Sequence, residues 1–194
     1  MDLFLQIWGG GGYLLAKILL SHAEGLEKDR PWRVAGWLAY IIGLPAWVML
    51  LAGKHNWIAA ANEAGGAPAL VLGLALAWKG LDKAPALADW GVKIFTWIMI
   101  VLGLGYSVFF FGGITAFSQI LELGVTAGFL LGTYLLAKKK PSGWLFFALM
   151  LCSMGTLMYL QGKTILIFQQ AISLVFVIRG FVKGVSRTKT AKKQ

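Results

Sequence analysis

Amide and carboxylate side chains lie inside long hydrophobic runs of this sequence, where polar groups are costly and usually functional. The seven residues concerned are Gln6, Asn62, Glu63, Gln119, Glu122, Gln169 and Gln170. At ~1.5 Å per helical residue, all of them lie roughly 5–12 Å from the outer end of their run. A single amide can simply join two helices, with a stabilisation of about 1 kcal/mol. Seven polar side chains at one depth instead predict a lined cavity that binds a small polar molecule.

Glu63 and Glu122 are the sharpest of these signals, because a carboxylate in mid-membrane needs a proton, ordered water or a cationic ligand. No basic residue is predicted at their depth, so we expect one of these rather than an ion pair within the protein. For Glu122, a protonated acid bonded to a neighbouring helix is an equally good interpretation. The aromatic residues that lie deep enough to stack on a flat cation are Tyr40, Trp47, Trp97, Tyr106 and Tyr159.

The sequence lacks the residue clusters that serve catalysis or metal binding. Cys152 is the only cysteine, and His22 and His55 fall in loops predicted on opposite sides of the membrane. No Cys and His cluster, nucleophile elbow or phosphate-binding loop accompanies the two glutamates. We therefore predict no metal, no cofactor and no enzymatic activity. A membrane enzyme that uses Glu63 and Glu122 as acid and base is the weaker alternative.

The elements that must position these side chains are transmembrane helices. Of the 194 residues, 58% are hydrophobic and 13% are charged, and the mean hydropathy is +0.73. A span takes ~20 apolar residues, so seven spans leave no room for a soluble catalytic or DNA-binding domain. The apolar runs predict an all-α integral membrane protein with helices at residues 3–20, 34–52, 57–78, 91–111, 114–137, 143–160 and 164–182.

Basic residues predict the orientation of these helices. Of the 18 lysines and arginines, Lys17 among them, all but Lys54 and Lys163 fall on one side of the seven-helix topology. The positive-inside rule then places the N-terminus outside the cell and the C-terminus in the cytoplasm. The basic tail after Lys183 is interpreted as part of this anchor, with no nucleic acid as partner. The tryptophans expected at the interfaces are Trp32, Trp37, Trp78, Trp90 and Trp144 on the cytoplasmic side and Trp57 on the outer side.

The chain contains an internal repeat. A shift of 107 residues aligns helices 2 and 3 with helices 6 and 7, and a shift of 113 to 116 residues aligns helix 1 with helix 5. The aligned pairs include Phe4 with Phe117, Gly12–Leu15 with Gly128–Leu131, Trp37 with Trp144, Asn62 with Gln169, Glu63 with Gln170 and Gly73 with Gly180. Two parallel three-helix repeats then flank a linker helix, a 3+1+3 arrangement typical of transporters with a substrate site between the halves. The predicted boundaries are 1–80 for the first repeat, 81–113 for linker helix 4, 114–184 for the second repeat and 185–194 for the basic tail.

Prolines and glycines add two local expectations. Pro45 and Pro68 are expected to interrupt helices 2 and 3, where each removes a backbone hydrogen bond and creates either a hinge or a static kink. The Gly9–Gly12 run lacks the strand–turn–helix context of a nucleotide-binding loop. It is interpreted as a surface for close helix packing.

The second repeat carries a motif pattern in four parts, Trp144–Phe147, Tyr159–Gly162, Phe168–Gln170 and Gly180. Over residues 117–184 the chain resembles the bacterial nicotinamide riboside transporters of the PnuC type, whose 3+1+3 core is like that of full-length SWEET sugar transporters. The resemblance implies facilitated diffusion of a vitamin B3 precursor across the bacterial cytoplasmic (inner) membrane. It also implies that aromatic and amide side chains hold the ligand. The family pattern has Trp and Asn where this chain has Phe147 and Leu151.

Nicotinamide riboside is a flat pyridinium cation with a hydroxylated sugar, which suggests a role for each polar side chain. Glu63 would offset the positive charge. The stacking residues would be Tyr40, Trp47 or Tyr159, and the amides that bond the ribose and amide groups would be Asn62, Gln169, Gln170, Gln6 and Gln119. The expected partners are this small molecule and the lipid bilayer, and the sequence is compatible with a homo-oligomer. The alternatives are a SWEET-like sugar carrier without need of Glu63, a carrier of another vitamin such as thiamine, and a non-transporting structural subunit.

Overall fold

The computed structural model describes residues 2–24, 26, 28–53, 57–81, 83–111 and 117–191, with side chains except at 2, 57–58, 103–104, 107–108, 110–111 and 188–191. All regular secondary structure in this part of the chain is helical. The helices are α1 (Asp2–Ala23), α2 (Arg30–Ala52), α3 (Trp57–Gly65), α4 (Ala67–Lys79), α5 (Ala86–Phe111), α6 (Phe117–Ala137), α7 (Ser142–Leu160) and α8 (Thr164–Ala191).

Each of the seven predicted helices has a counterpart, and the third is divided into α3 and α4. The division lies at Gly66, two residues before Pro68. The ring nitrogen of Pro68 has no proton, so it cannot donate a hydrogen bond to a carbonyl oxygen of the preceding turn. Helix α2 continues through Pro45, so the predicted interruption of the helix at this proline is wrong. The last helix extends to Ala191, beyond the predicted end at residue 182.

Six stretches of the described residues are long and apolar enough to cross a membrane. They are Leu3–Ala23, Arg30–Ala52, Ala59–Lys79, Phe117–Ala137, Ser142–Leu160 and Thr164–Arg187, of which the third combines α3 and α4. Helix α5 adds a further 26 helical residues. The chain is therefore an all-helical, multi-pass membrane protein.

The helices pack in a closed order, which we call the helical ring. Helix α1 packs against α2 and α8, α2 packs against α3 and α4, and these two pack against α6. Helix α6 packs against α7, and α7 packs against α8, which closes the ring. Helix α5 contacts α3, α4 and α6.

Glycines permit the closest helix crossings. A Cβ atom on Gly12 would lie 2.9 Å from the Cα of Gly43 and 3.1 Å from the carbonyl oxygen of Ala39 on α2. A Cβ atom on Gly128 of α6 would lie 2.6 Å from backbone atoms of α7. Gly11 faces open space. The predicted packing role of the Gly9–Gly12 run is confirmed, because backbone meets backbone at this run.

Two tryptophans pack over glycines in the same way. A Cβ atom on Gly73 would lie 2.5 Å from Cε2 of Trp37, and one on Gly180 would lie 2.6 Å from Cε2 of Trp144. Both indoles are fully buried, because the missing side chain opposite each ring leaves room for it inside the protein. The tryptophans that are exposed are Trp32, Trp78 and Trp90. The side chain of Trp57 lies outside the described residues.

Charged residues gather at one end of the helical ring, which we call the basic end. It carries the α1–α2 loop, the α4–α5 loop, the α6–α7 loop and the C-terminal part of α8. Three of the basic residues counted in the sequence, Lys54, Lys192 and Lys193, lie outside the described residues.

Candidate functional site

Tyr13 of α1 lies at the centre of the helical ring and joins the groups around it. Its hydroxyl donates a 2.7 Å hydrogen bond to Oε2 of Glu63 on α3. Its ring centroid lies 4.7 Å from that of Tyr40 and 5.7 Å from that of Trp47, both on α2. It also stacks on Phe129 of α6, with the two ring centroids 6.1 Å apart. We call Tyr13, Lys17, Tyr40, Trp47, Glu63 and Phe129 the Tyr13 cluster.

Lys17 places an ammonium group inside this cluster. The residue is fully buried, and its Nζ lies 5.2 Å from the ring centroid of Tyr13 and 5.3 Å from that of Tyr40. Long side chains on a helix point toward its N-terminus, which carries this ammonium from the last turns of α1 back toward Tyr13. Two aromatic faces and the nearby carboxylate offset the loss of water around it.

The position of Lys17 overturns the expectation that no basic residue lies near Glu63. The sequence count assigned Lys17 to the cytoplasmic surface because it is close to the end of the first apolar run. In the structure, Glu63 and Lys17 share Tyr13, which bonds the carboxylate through its hydroxyl and faces the ammonium with its ring. The site therefore contains one potential negative and one potential positive charge.

Several polar atoms of the site have no hydrogen-bond partner among the described residues. In the Tyr13 cluster they are Oε1 of Glu63, the hydroxyl of Tyr40 and Nε1 of Trp47. On α8 they are Oε1 of Gln169 and both amide atoms of Gln170. An unsatisfied buried polar group costs about 1–3 kcal/mol, so it usually marks a strained or functional place. These atoms are suited to hydrogen-bond a polar ligand.

The predicted site amides of α3 and α8 lie on opposite sides of the helical ring. Asn62 donates a 2.7 Å hydrogen bond to Oγ1 of Thr126, which joins α3 to α6. Gln169 donates a 3.0 Å bond to Oγ of Ser173 and packs against Gly10 of α1. Gln170 packs against Gly155 of α7. Asn62 is thus engaged in joining helices, whereas Gln169 and Gln170 keep free acceptor and donor atoms.

The remaining predicted site residues divide into buried and exposed ones. Gln6 and Gln119 are buried, and Glu122 is half-buried one turn before Thr126. Tyr159, in contrast, is 71% exposed in the last turn of α7, so its predicted role in stacking on a ligand inside the ring is wrong. The helix turns this ring outward, which residue spacing and depth alone do not reveal. The two other deep aromatics of the sequence, Trp97 and Tyr106 on α5, are also exposed.

Sequence reasoning missed Tyr13, Lys17 and Phe129 as parts of the site. Two signals were present: Tyr13 and Lys17 stand four residues apart, on one helix face, and Tyr13 aligns with Phe129 in the repeat. The glycines and the amide dominate the pattern of the first helix, and Lys17 lies close to the end of its apolar run. Only the rotation of α1 toward α2 and α3 brings the three residues together.

An ion-pair network joins the elements of the basic end. Arg33 of α2 lies 3.0 Å from Oε2 of Glu24 and donates a 2.8 Å bond from Nε to Oδ2 of Asp29. Arg187, near the end of α8, donates a 3.0 Å bond to the same Asp29 oxygen. Burial acts to raise the pKa of Asp29, but the hydrogen bonds from Arg33 and Arg187 outweigh it and hold that pKa below its usual value.

A second ionic contact at the basic end joins α5 to α6. Lys138 donates a 2.8 Å bond to Oδ2 of Asp89, and Tyr134 donates a 2.9 Å bond to Oδ1. The hydrogen bond with Lys138 lowers the pKa of Asp89 and raises that of Lys138. The network thus attaches the start of α5 to the end of α6.

Among the residues that the structure describes, no group of three or more His, Cys, Asp or Glu residues is suited to hold a metal ion. Comparisons with protein-family models, with curated proteins and with solved structures give no match for this chain. The arrangement of its own residues therefore carries the functional argument.

Proposed function

We propose that this protein is a membrane transporter for a small polar solute, bound between the helices beside the Tyr13 cluster. The observation that carries the proposal is the set of buried, unpartnered polar atoms on Tyr40, Trp47, Glu63, Gln169 and Gln170. Ionisable residues inside a membrane span usually mark a substrate or ion pathway. Here they occur together with aromatic rings and amides in the interior of a multi-pass helical protein.

Recurring contacts support the two-repeat arrangement that such transport requires. Trp37 packs over Gly73, and the residues that the 107-residue shift aligns with them, Trp144 and Gly180, pack in the same way. Gly12 approaches Ala39 O and Gly43 of α2, and the aligned contacts of Gly128 are Phe146 O and Met150 of α7. With α5 as linker, the helices then form a 3+1+3 core whose halves can move relative to each other.

The proposed orientation places the basic end in the cytoplasm and the N-terminus outside, as the positive-inside rule predicts. The ion pairs of Asp29 with Arg33 and Arg187 lie on that side of the Tyr13 cluster, and the pair with Arg187 joins the first repeat to the C-terminal part of α8. Alternating access then requires the contact between Asp29 and Arg187 to separate when the site opens toward the cytoplasm.

Nicotinamide riboside or a similar vitamin-precursor nucleoside is the proposed substrate, moved by facilitated diffusion across the bacterial inner membrane. The resemblance of residues 117–184 to nicotinamide riboside transporters suggests this class. The carboxylate of Glu63 and the rings of Tyr13, Tyr40 and Trp47 suit a flat cation. The amides of Gln169 and Gln170 suit a hydroxylated sugar. A SWEET-like sugar carrier or a thiamine carrier would use the same amides and rings.

Uptake of labelled nicotinamide riboside into liposomes that contain the purified protein tests the proposal, with no ion gradient imposed. We expect equilibrating uptake above that of empty liposomes. Glu63→Gln should reduce uptake of the cation roughly tenfold or more, because a buried charged partner is lost. Tyr159→Phe is the matched control, since Tyr159 is exposed and its replacement should leave uptake unchanged.

A structural subunit is the second candidate, favoured by the hydrogen bond between Asn62 and Thr126 that joins α3 to α6. In that case Asn62→Leu should lower the stability of the folded protein while no solute crosses the membrane. Folded protein that moves no nicotinamide riboside, thiamine, nucleoside or sugar would contradict the transport proposal.

A further inference from the structure

The two halves of the protein fill the same central positions with chemically different residues. The shifts that align the repeats place Tyr13 on Phe129, Lys17 on Thr133, Tyr40 on Phe147 and Glu63 on Gln170. All eight side chains are buried. The second half therefore packs its interior without any ionisable group at these positions. It follows that helix packing alone does not require the lysine and the glutamate of the first half.

The charges of Lys17 and Glu63 balance when the pair holds one proton. With the proton on Lys17 the pair is an ammonium and a carboxylate, and with the proton on Glu63 it is an amine and a carboxylic acid. Both forms are neutral overall, which a buried site in a membrane strongly favours. Because Oε2 of Glu63 accepts the hydrogen bond from Tyr13, the unpartnered Oε1 is the atom that carries the proton in the second form.

The surroundings of Glu63 contain few other titratable groups. Tyr13 and Lys17 reach it from α1, and Tyr40 interacts with it from α2. Helix α6, which packs against α3, carries Glu122, one turn from the threonine that Asn62 bonds. The titratable residues of α4 and α5, which also pack against α3, are Lys79, Asp89, Lys93 and Tyr106. Of these helices, α4 and the start of α5 place their charges at the basic end.

We propose that the Lys17–Tyr13–Glu63 group holds either one proton or one cationic solute, so that transport exchanges a proton for the solute. This inference rests on the proposed transport function and replaces facilitated diffusion of the solute by its exchange for a proton. When the cation binds beside Oε1 of Glu63, the shared proton leaves to the aqueous phase. The glutamate then remains a carboxylate, Lys17 becomes an amine, and Tyr13 keeps its hydroxyl proton. The site is neutral before and after the step, and one positive charge moves in each direction.

Exchange differs from simple facilitated diffusion in the gradient that drives it. A one-for-one exchange moves no net charge, so it responds to a pH difference and ignores the membrane potential. Facilitated diffusion of the cation alone responds to the membrane potential and ignores the pH difference. At equilibrium, one pH unit supports about tenfold accumulation of the exchanged cation. A potential of 100 mV, inside negative, supports about 50-fold accumulation of a cation that moves alone.

Proteoliposomes with labelled nicotinamide riboside as the probe separate these cases. In one arm the interior is one pH unit more acidic than the exterior, and the potential is clamped at zero with potassium and valinomycin. In the other arm the pH is equal and the potential is inside negative. We expect about tenfold accumulation in the first arm and none in the second. Accumulation that follows the potential and ignores the pH difference would overturn the exchange while leaving the transport proposal intact.

A double variant that copies the second half, Lys17→Thr with Glu63→Gln, provides the matched comparison. Neither charge is left without its partner, and the fold already accommodates both new residues at the aligned positions. We expect folded protein whose remaining uptake no longer responds to the pH difference. Full retention of the pH response in this variant would also overturn the exchange. Absence of uptake by the natural protein in every arm, including one without gradients, would overturn the transport proposal and the exchange with it.

Discussion

At the scale of single residues, Lys17 and Glu63 are both buried beside Tyr13, where a charge without a partner is strongly unfavourable. Removing one member of such a pair typically costs about 3–5 kcal/mol, whereas replacing both often costs far less. We therefore expect Lys17→Thr alone and Glu63→Gln alone to destabilise the protein more than the double variant does. A double-mutant cycle on unfolding in detergent micelles measures this difference. Independent, additive losses from the two changes would show that the two side chains do not interact.

A second prediction at this scale concerns Asp29, whose pKa is held below its usual value. A carboxyl group of this kind contributes stability at every pH above its unfolded pKa of about 3.9, and this contribution is lost as the pH falls through the lower folded value. We expect Asp29→Asn to lower the melting temperature at pH 7. The difference between the variant and the natural protein should shrink as the pH falls below about 3.9 and through the lower folded pKa of Asp29. A difference that is the same at pH 7 and at pH 3 would contradict the proposed ion pairs.

The residues of the site were partly predictable from sequence. Depth along each apolar run identified Glu63, Gln169 and Gln170, because an amide or carboxylate in mid-span is rare for physical reasons. The same measure failed for Tyr159, which has the right depth and faces outward. It also failed for Lys17, which is near the end of its run and points inward. Helix rotation decides both cases, and it depends on which neighbours a helix packs against.

At the scale of elements, the helix boundaries follow from simple alternation of apolar runs and polar breaks. The predicted ends of the helices agree with the structure within a few residues at most boundaries. The break at Gly66 confirms the interruption of the third helix expected from Pro68, two residues upstream of the proline. The main difference is the extension of α8 to Ala191. Local composition does not reveal this extension, because the end of α8 is paired with the α1–α2 loop through Arg187 and Asp29.

The glycines of α1 allow an element-scale prediction with an internal control. In Gly12→Ala the new Cβ would lie 2.9 Å from a backbone atom of α2, so the two helices must separate. We expect a loss of roughly 1–3 kcal/mol in unfolding free energy. In Gly11→Ala the new Cβ meets nothing within 4 Å, and the higher helix propensity of alanine should leave stability equal or slightly higher. Equal effects of the two substitutions would show that α1 and α2 do not cross at Gly12.

At the scale of the whole molecule, the order of helices in the ring explains why one site can use residues from both ends of the chain. Helix α1 packs against α8, which brings Gln169 next to Gly10, and α3 packs against α6, which brings Asn62 to Thr126. The 107-residue shift aligns Asn62 with Gln169. The contacts of Asn62 with Thr126 and of Gln169 with Gly10 thus lie at the two interfaces where the proposed repeats meet. Movement of the repeats against each other changes both interfaces at once.

The contact between Asp29 and Arg187 joins the α1–α2 loop to α8 through an ion pair, and this pair predicts how readily the basic end opens. Arg187→Gln removes this link and leaves Arg33 to hold Asp29 within the first repeat. An exposed or half-exposed ion pair contributes about 0.2–1 kcal/mol, which shifts the ratio of open to closed protein by roughly 1.4- to 5-fold. We expect a matching increase in the labelling rate of a cysteine introduced at Ser173, measured from the basic end in a Cys152→Ser background. Arg179→Gln, an exposed change on the same helix, should leave that rate unchanged, and equal rates in both variants would contradict a closing role for Asp29 and Arg187.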